Sequence, residues 1–150
     1  MCGDHHSRQS LGGALAVLSP PLPGHGISSA VMAGQLVFHD QGKGGLTATH
    51  VMFTINPPDG IHRVEREPFL VRIHETGDLT SPAVTSPFWT TLRLKPALAE
   101  LEGDNRPLVD VVLGQPMNIE VGVNGIIGRR VSVWTQHGLG PVAEGIIGYN

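Results

Sequence analysis

Apolar residues along the chain fall in short runs separated by clusters of Gly, Pro, Asn and Asp. Ala14-Leu15-Ala16-Val17-Leu18 opens the series, and Pro20, Pro21 and Pro23 follow it with residues that break regular structure. Gln35-Leu36-Val37-Phe38 lies inside a run over residues 31–39, which Gln41-Gly42-Lys43-Gly44-Gly45 closes as a hairpin loop. Residues 47–55 are rich in β-branched and aromatic side chains and stop at Asn56-Pro57-Pro58-Asp59-Gly60. Phe69–His74 and the runs 108–113, 117–123, 129–134 and 144–147 complete a set of about eight predicted strands. Only residues 97–102, after Pro96, have helical character, and that length allows one or two turns. Short strands punctuated this regularly predict an all-β sandwich or barrel.

Composition narrows the picture. With 150 residues, 40% of them hydrophobic, the chain is long enough to bury the core of one domain. The lone Cys2 excludes an intramolecular disulfide and any multi-thiolate metal site, while eight His leave an imidazole site open. Ten Lys plus Arg against 13 Asp plus Glu do not make a phosphate-tracking nucleic-acid binder. No apolar run approaches the roughly 20 residues of a membrane-spanning helix. The apolar stretch 11–18 is short for a secretory leader and leads into prolines, so it reads as a first strand and secretion is not expected. Residues 1–13 are expected to be a flexible tail and 14–150 the folded domain. Cys2, His5 and His6 have soft-metal spacing, but a floppy terminus pays heavily to close such a site, and they read as solvated tail. Arg63, Glu65, Arg66 and Glu67 read as a solvated loop.

The most specific text is C-terminal. Asn124-Gly125-Ile126-Ile127-Gly128-Arg129-Arg130-Val131-Ser132-Val133-Trp134 is followed by Val142-Ala143-Glu144-Gly145-Ile146-Ile147-Gly148-Tyr149. Together they resemble the end of the copper/zinc superoxide dismutases, which read C-I-I-G-R-T-L-V-V-H and then R-L-A-C-G-V-I-G-I. His74-Glu75-Thr76-Gly77-Asp78 is similar to the H-E-F-G-D that ends the family's F-H-V-H-E-F-G-D strand and turn. The fragments keep the family's order, and residues 110–129 match its A-D-V…I-I-G-R interval without a gap. The resemblance is weakest over 59–68 and 81–102. It implies a Greek-key β-sandwich or barrel of about eight strands.

The chemistry departs from that family. Copper that cycles between two oxidation states is held there by several imidazoles. At the matching positions this chain has Arg72, His74, Phe88 and Trp134, so a single imidazole remains. The fixed charge of Arg72 would repel an entering cation. No His occurs between His74 and His137, which removes the zinc ligands of the family's long loop. Ala83 and Glu144 stand at the disulfide cysteines, and Pro141 replaces the Arg that draws superoxide toward copper. The resemblance therefore implies an inactive homologue with no catalytic residue, no intact metal site and no cofactor. Phe88 and Trp134 are expected to fill the vacated place with apolar area, at roughly 25 cal/mol per Å². The competing expectation is a divergent copper-dependent dismutase in which His62, His74 and His137 converge. It ranks second, because a ligand moved three residues beyond Trp134 leaves the strand face.

The best-preserved segments match the family's two-fold dimer face: Thr76, Gly77 and Asp78; Ile127, Gly128 and Arg129; Ile146, Ile147, Gly148 and Tyr149. Glycines 77 and 128 would admit close backbone approach, and Ile127 with Ile147 or Tyr149 would form an apolar centre. Within the family the chain resembles the inactive superoxide dismutase-like proteins of poxviruses. That resemblance implies a virion protein, or a host-cytoplasmic decoy, that pairs with itself or with the copper chaperone for superoxide dismutase.

Overall fold

The computed structural model describes residues 12–25, 33–41, 45–56, 68–95, 108–136 and 138–150. The protein is all-β, with no helix among the described residues. Its strands are β1 (Ala14–Leu18), β2 (Ala33–His39), β3 (Thr47–Asn56), β4 (Phe69–His74), β5 (Phe88–Leu94), β6 (Leu108–Val121), β7 (Gly125–Ile127), β8 (Arg130–Thr135) and β9 (Ala143–Tyr149). They form one hydrogen-bonded sheet in the order β5-β4-β8-β9-β1-β2-β3-β6-β7, antiparallel throughout except for the short β6–β7 pair.

Strand β9 is the pivot. Its first half, from Ala143 to Ile146, bonds to β8, and its second half, Ile147 to Tyr149, bonds to β1. The sheet turns over along this strand, so its two wings face each other and share one core. Leu36, Phe38, Val51 and Phe53 from one wing pack with Phe69, Val71, Ile73, Val131 and Val133 from the other. Phe53 of β3 meets Phe69 of β4 edge to face, ring centres 5.5 Å apart.

The sequence pattern and the structure differ in three places. The predicted strands 108–113 and 117–123 are one strand, β6. Opposite it the β3 register jumps from Ala48↔Met117 to His50↔Val112, so residues 113–116 bulge out across Thr49. Gly114 and Pro116 sit in that bulge, where a missing N–H costs no ladder bond. Strand β5 escapes a pattern search because it is an edge strand, flanked by Pro87 and solvated on one face. Strand β7 has only three residues. The short helix expected at 97–102 lies outside the described residues. At the other boundary, Gly12 and Gly13 already belong to the fold, since Asn150 donates to the carbonyls of both.

Two features set up the region of interest. Residues 75–87 form a loop whose ends are tied by Glu75 N–H to the Pro87 carbonyl at 3.0 Å. Arg129, buried just before β8, spends its guanidinium on carbonyls: Gly125 at 2.7 Å, Glu75 at 2.9 Å and Val123 at 2.9 Å, with Gly122 at 3.3 Å. It also stacks on Trp89, 4.5 Å from the ring centre. One side chain thus pins the β6–β7 turn, the end of β4 and the start of β5 together. Arg129→Met should lower stability by about 3 kcal/mol or more, because each abandoned carbonyl carries its own cost. Urea unfolding against the exposed control Arg93→Met, expected within about 0.5 kcal/mol of the parent, checks this.

Candidate functional site: a covered polar layer on the outer face

Strand β8 is buried on both faces. Val131 and Val133 point into the core, so Arg130, Ser132 and Trp134 point the other way. Register places Ser132 between Arg72 of β4 and Glu144 of β9, on a face that the 75–87 loop covers. A polar row under a loop has no water to turn to, and most of this one is satisfied internally.

His74 is fully buried, with Nε2 2.7 Å from Ser132 Oγ and Nδ1 3.2 Å from the Ser86 carbonyl. Trp134 Nε1 donates to the same Oγ at 2.8 Å. The Ser86 carbonyl can only accept, so Nδ1 carries the proton of the neutral ring and Nε2 accepts from the Ser132 hydroxyl, which in turn accepts from the Trp134 indole N–H. Both ring nitrogens are used and the ring is neutral. Burial holds the His74 pKa below its ordinary value, and the positive charge of Arg130 adds to this against the opposing pull of the Ser86 carbonyl and Glu144.

Arg130, fully buried, pairs with Glu144 through Nε at 3.1 Å and through Nη2. Its Nη1 reaches the carbonyls of Asp78 at 3.0 Å and Ser81 at 2.7 Å. The backbone N–H of Arg130 donates to Thr76. Ion pair and loop are therefore one assembly, fastening residues 76–81 to β8 and β9.

Arg72 is different. Its guanidinium lies 4.4 Å from the Trp134 ring centre and 5.0 Å from that of Phe88, the cation–π range for both. Among the described residues it has no hydrogen-bond or ion-pair partner, and its Nε is buried without an acceptor. Arg72, His74, Phe88 and Trp134 do converge. The expectation that both rings close a dry pocket holds for Trp134, 5% exposed, and fails for Phe88, which is 52% exposed and caps Arg72 at the surface. Phe88 starts edge strand β5, opposite the register shift between Ile73 and His74.

These donors do not fit copper. The one imidazole has both nitrogens committed, and a permanently charged guanidinium stands where a second ligand would be needed. Among the described residues, no three His, Cys, Asp or Glu are grouped to hold an ion. His39 and His50 stack face to face at 5.4 Å, with His39 bonded to Asp110, so their lone pairs do not meet at a common point. Cys2, His5, His6, His62, His137, Arg63, Glu65, Arg66 and Glu67 lie outside the described residues.

The expected association face needs correction. Arg129 is buried on its carbonyls and Ile147 is fully buried in the core, so neither is available at a surface. Gly77 is required within the chain itself, since a Cβ there would stand 2.3 Å from the Gly128 carbonyl. Thr76, Gly77, Asp78 and Gly128 are exposed, and Ile127 and Gly148 half-buried. Ile146, at 36%, and Tyr149, at 63%, are the exposed apolar members. Val17 on neighbouring β1, 59% exposed, joins them and was not among the expected residues. Its signal is in the sequence: Ala14, Ala16 and Leu18 face the core, so Leu15 and Val17 make the outer face of β1 apolar too.

No protein-family model matches the chain, and no curated protein is significantly similar to it.

Two outcomes follow from the polar layer. The unfolded chain titrates its His near about 6.5 and the folded His74 below that, so the unfolded state binds the extra proton in between. Stability should hold above about pH 6.5 and decline as pH falls toward the folded value. Urea midpoints between roughly pH 7.5 and 5 should fall less steeply in His74→Gln than in the parent, and parallel slopes would contradict this assignment. Glu144→Leu, which strands a buried Arg130, should cost about 3–5 kcal/mol, and adding Arg130→Met should restore only part of it, since the Asp78 and Ser81 carbonyls then lose their donor; urea unfolding of the two variants checks this.

Proposed function

We propose that this protein is a non-catalytic member of the copper/zinc superoxide dismutase family, with that family's Greek-key sandwich, which acts through a surface and not through a metal. The observation that carries the reading is the Arg72 guanidinium between Trp134 and Phe88, beside a His74 whose two nitrogens are already bonded. The strand order supports it, with β4, β5, β8 and the start of β9 in one wing and β1, β2, β3 and β6 in the other. A dismutase needs imidazole lone pairs converging on an ion. Here charge, rings and hydrogen bonds occupy the matching positions.

The associating surface is the outer face of β1 and β9 with the neighbouring turns: Val17, Ile146, Gly148, Gly77 and Gly128, with Tyr149 exposed at the adjoining end of β9. Apolar groups flanked by exposed backbone at glycine suit a partner with the same fold, either a second copy or the dismutase-like domain of the copper chaperone for superoxide dismutase. By the same resemblance the protein acts in a virion or in host cytoplasm, and an occupied chaperone face is the means of interference.

The decisive experiment is sedimentation of the parent, alone and with the chaperone, beside a Val17→Asp, Ile146→Asp variant. The parent should form a dimer or a one-to-one complex, and the variant should weaken it at least tenfold while remaining folded. A parent that is monomeric and ignores the chaperone, or a variant that binds as well as the parent, overturns the reading. Protein refolded with copper and zinc should show no dismutase activity, and stoichiometric copper with activity would overturn the metal-free assignment.

A further inference from the structure

The outer face of the β4–β5–β8 wing holds a cation that no described residue neutralises. Arg72 sits opposite Thr91 on one side and Ser132 on the other. In the next row Leu70 lies between Arg93 and Trp134, which makes Arg93 the diagonal neighbour of Arg72 on the same face. Arg93 is exposed and, like Arg72, has no hydrogen-bond or ion-pair partner among the described residues. The acid on this face among the strand residues of the wing, Glu144, is buried and spent on Arg130.

Among the described residues the two buried cations are fully occupied, Arg129 on carbonyls and Arg130 on carbonyls and Glu144. Arg72 alone is partly enclosed, with its Nε shut away from solvent and from any acceptor. Enclosing a charge without hydrogen bonds is costly, and native structures keep such groups where something completes them. Both ring centres lie within cation–π range of the guanidinium carbon, and its Nη edge makes no hydrogen bond to a described residue. That edge is the fork that matches two oxygens of a carboxylate or phosphate.

We propose that Arg72, flanked by Phe88 and Trp134 and backed by Arg93 and Thr91, is a binding site for a small oxyanion, a carboxylate or a phosphate group. The rings hold the fork flat and strip water from it, so little conformational freedom is lost on binding. Arg93 adds a second charge at the open edge, and Thr91 offers a hydroxyl. The site shares no residue with the β1–β9 face, so it stands or falls separately from the association reading.

Amide and side-chain NMR spectra of the parent, titrated with sodium acetate and separately with sodium phosphate against sodium chloride at matched ionic strength, provide the test. Saturable shifts are expected at the Arg72 Nε–H and Trp134 indole N–H signals with one or both oxyanions, and the two arms identify which chemistry fits. Trp89, whose ring stacks on Arg129, should stay still and serves as the internal control. Arg72→Gln should weaken binding at least tenfold and Arg93→Gln a few-fold. The parent titration decides the matter even if Arg72→Gln does not fold. Shifts that are linear, that match chloride, or that saturate away from Arg72 overturn the proposal, as does a folded Arg72→Gln that binds like the parent.

Discussion

Strand β8 is covered on both sides, and that double burial governs what the surrounding residues can be. An outer face hidden under a loop must find partners for each polar atom inside the protein, or leave out polar atoms altogether. The chain keeps them and pairs them. Trp134 to Ser132 to His74 to Ser86 is one directed relay of donors, and Arg130 with Glu144 is a second unit that takes in the loop carbonyls. The two units lie side by side through Ser132↔Glu144 in the register. The loop is therefore as much a part of the hydrogen-bonding scheme as the strands, and the orientation of His74 follows from all of it.

Much of the fold can be read from the sequence, for physical reasons. β1, β3 and β4 carry dense β-branched or apolar runs between unmistakable breakers, and those residues fill the core. β6 was harder, because Gly114 and Pro116 look like a stop and turn out to occupy a bulge. β5 was hidden by its edge position, where alternation weakens as one face turns to water. At the site, the four positions 72, 74, 88 and 134 were legible through resemblance alone. Their contacts were not, because Ser132 meets His74 only through the register of two strands some sixty residues apart in sequence. Arg129 and Ile147 show the opposite failure: well-preserved text can mark the needs of the interior and not of a surface.

Metal binding and cation stacking are competing uses of one place. A copper site needs lone pairs converging on an empty centre, whereas Arg72 is a donor-only cation set against two rings with its Nε enclosed. The aromatic side chains that could not ligate a metal are well suited to the faces of that plane. Placing one more His here would therefore not make a metal site, since Ser132 and the Ser86 carbonyl take both nitrogens of His74 and the two rings lie against the arginine.

The Arg130–Glu144 pair has a consequence for the setting in which the fold can work. By resemblance, position 144 is where a cysteine would cross-link this loop to the sheet. Here the same join is made by charge and carbonyls. It holds no sulfur, so it is indifferent to thiols and to the oxidising or reducing poise of its surroundings, and it needs no isomerase to form. What it rests on is one buried ion pair and two loop carbonyls, so the hold on the loop depends on packing and charge and not on a redox couple.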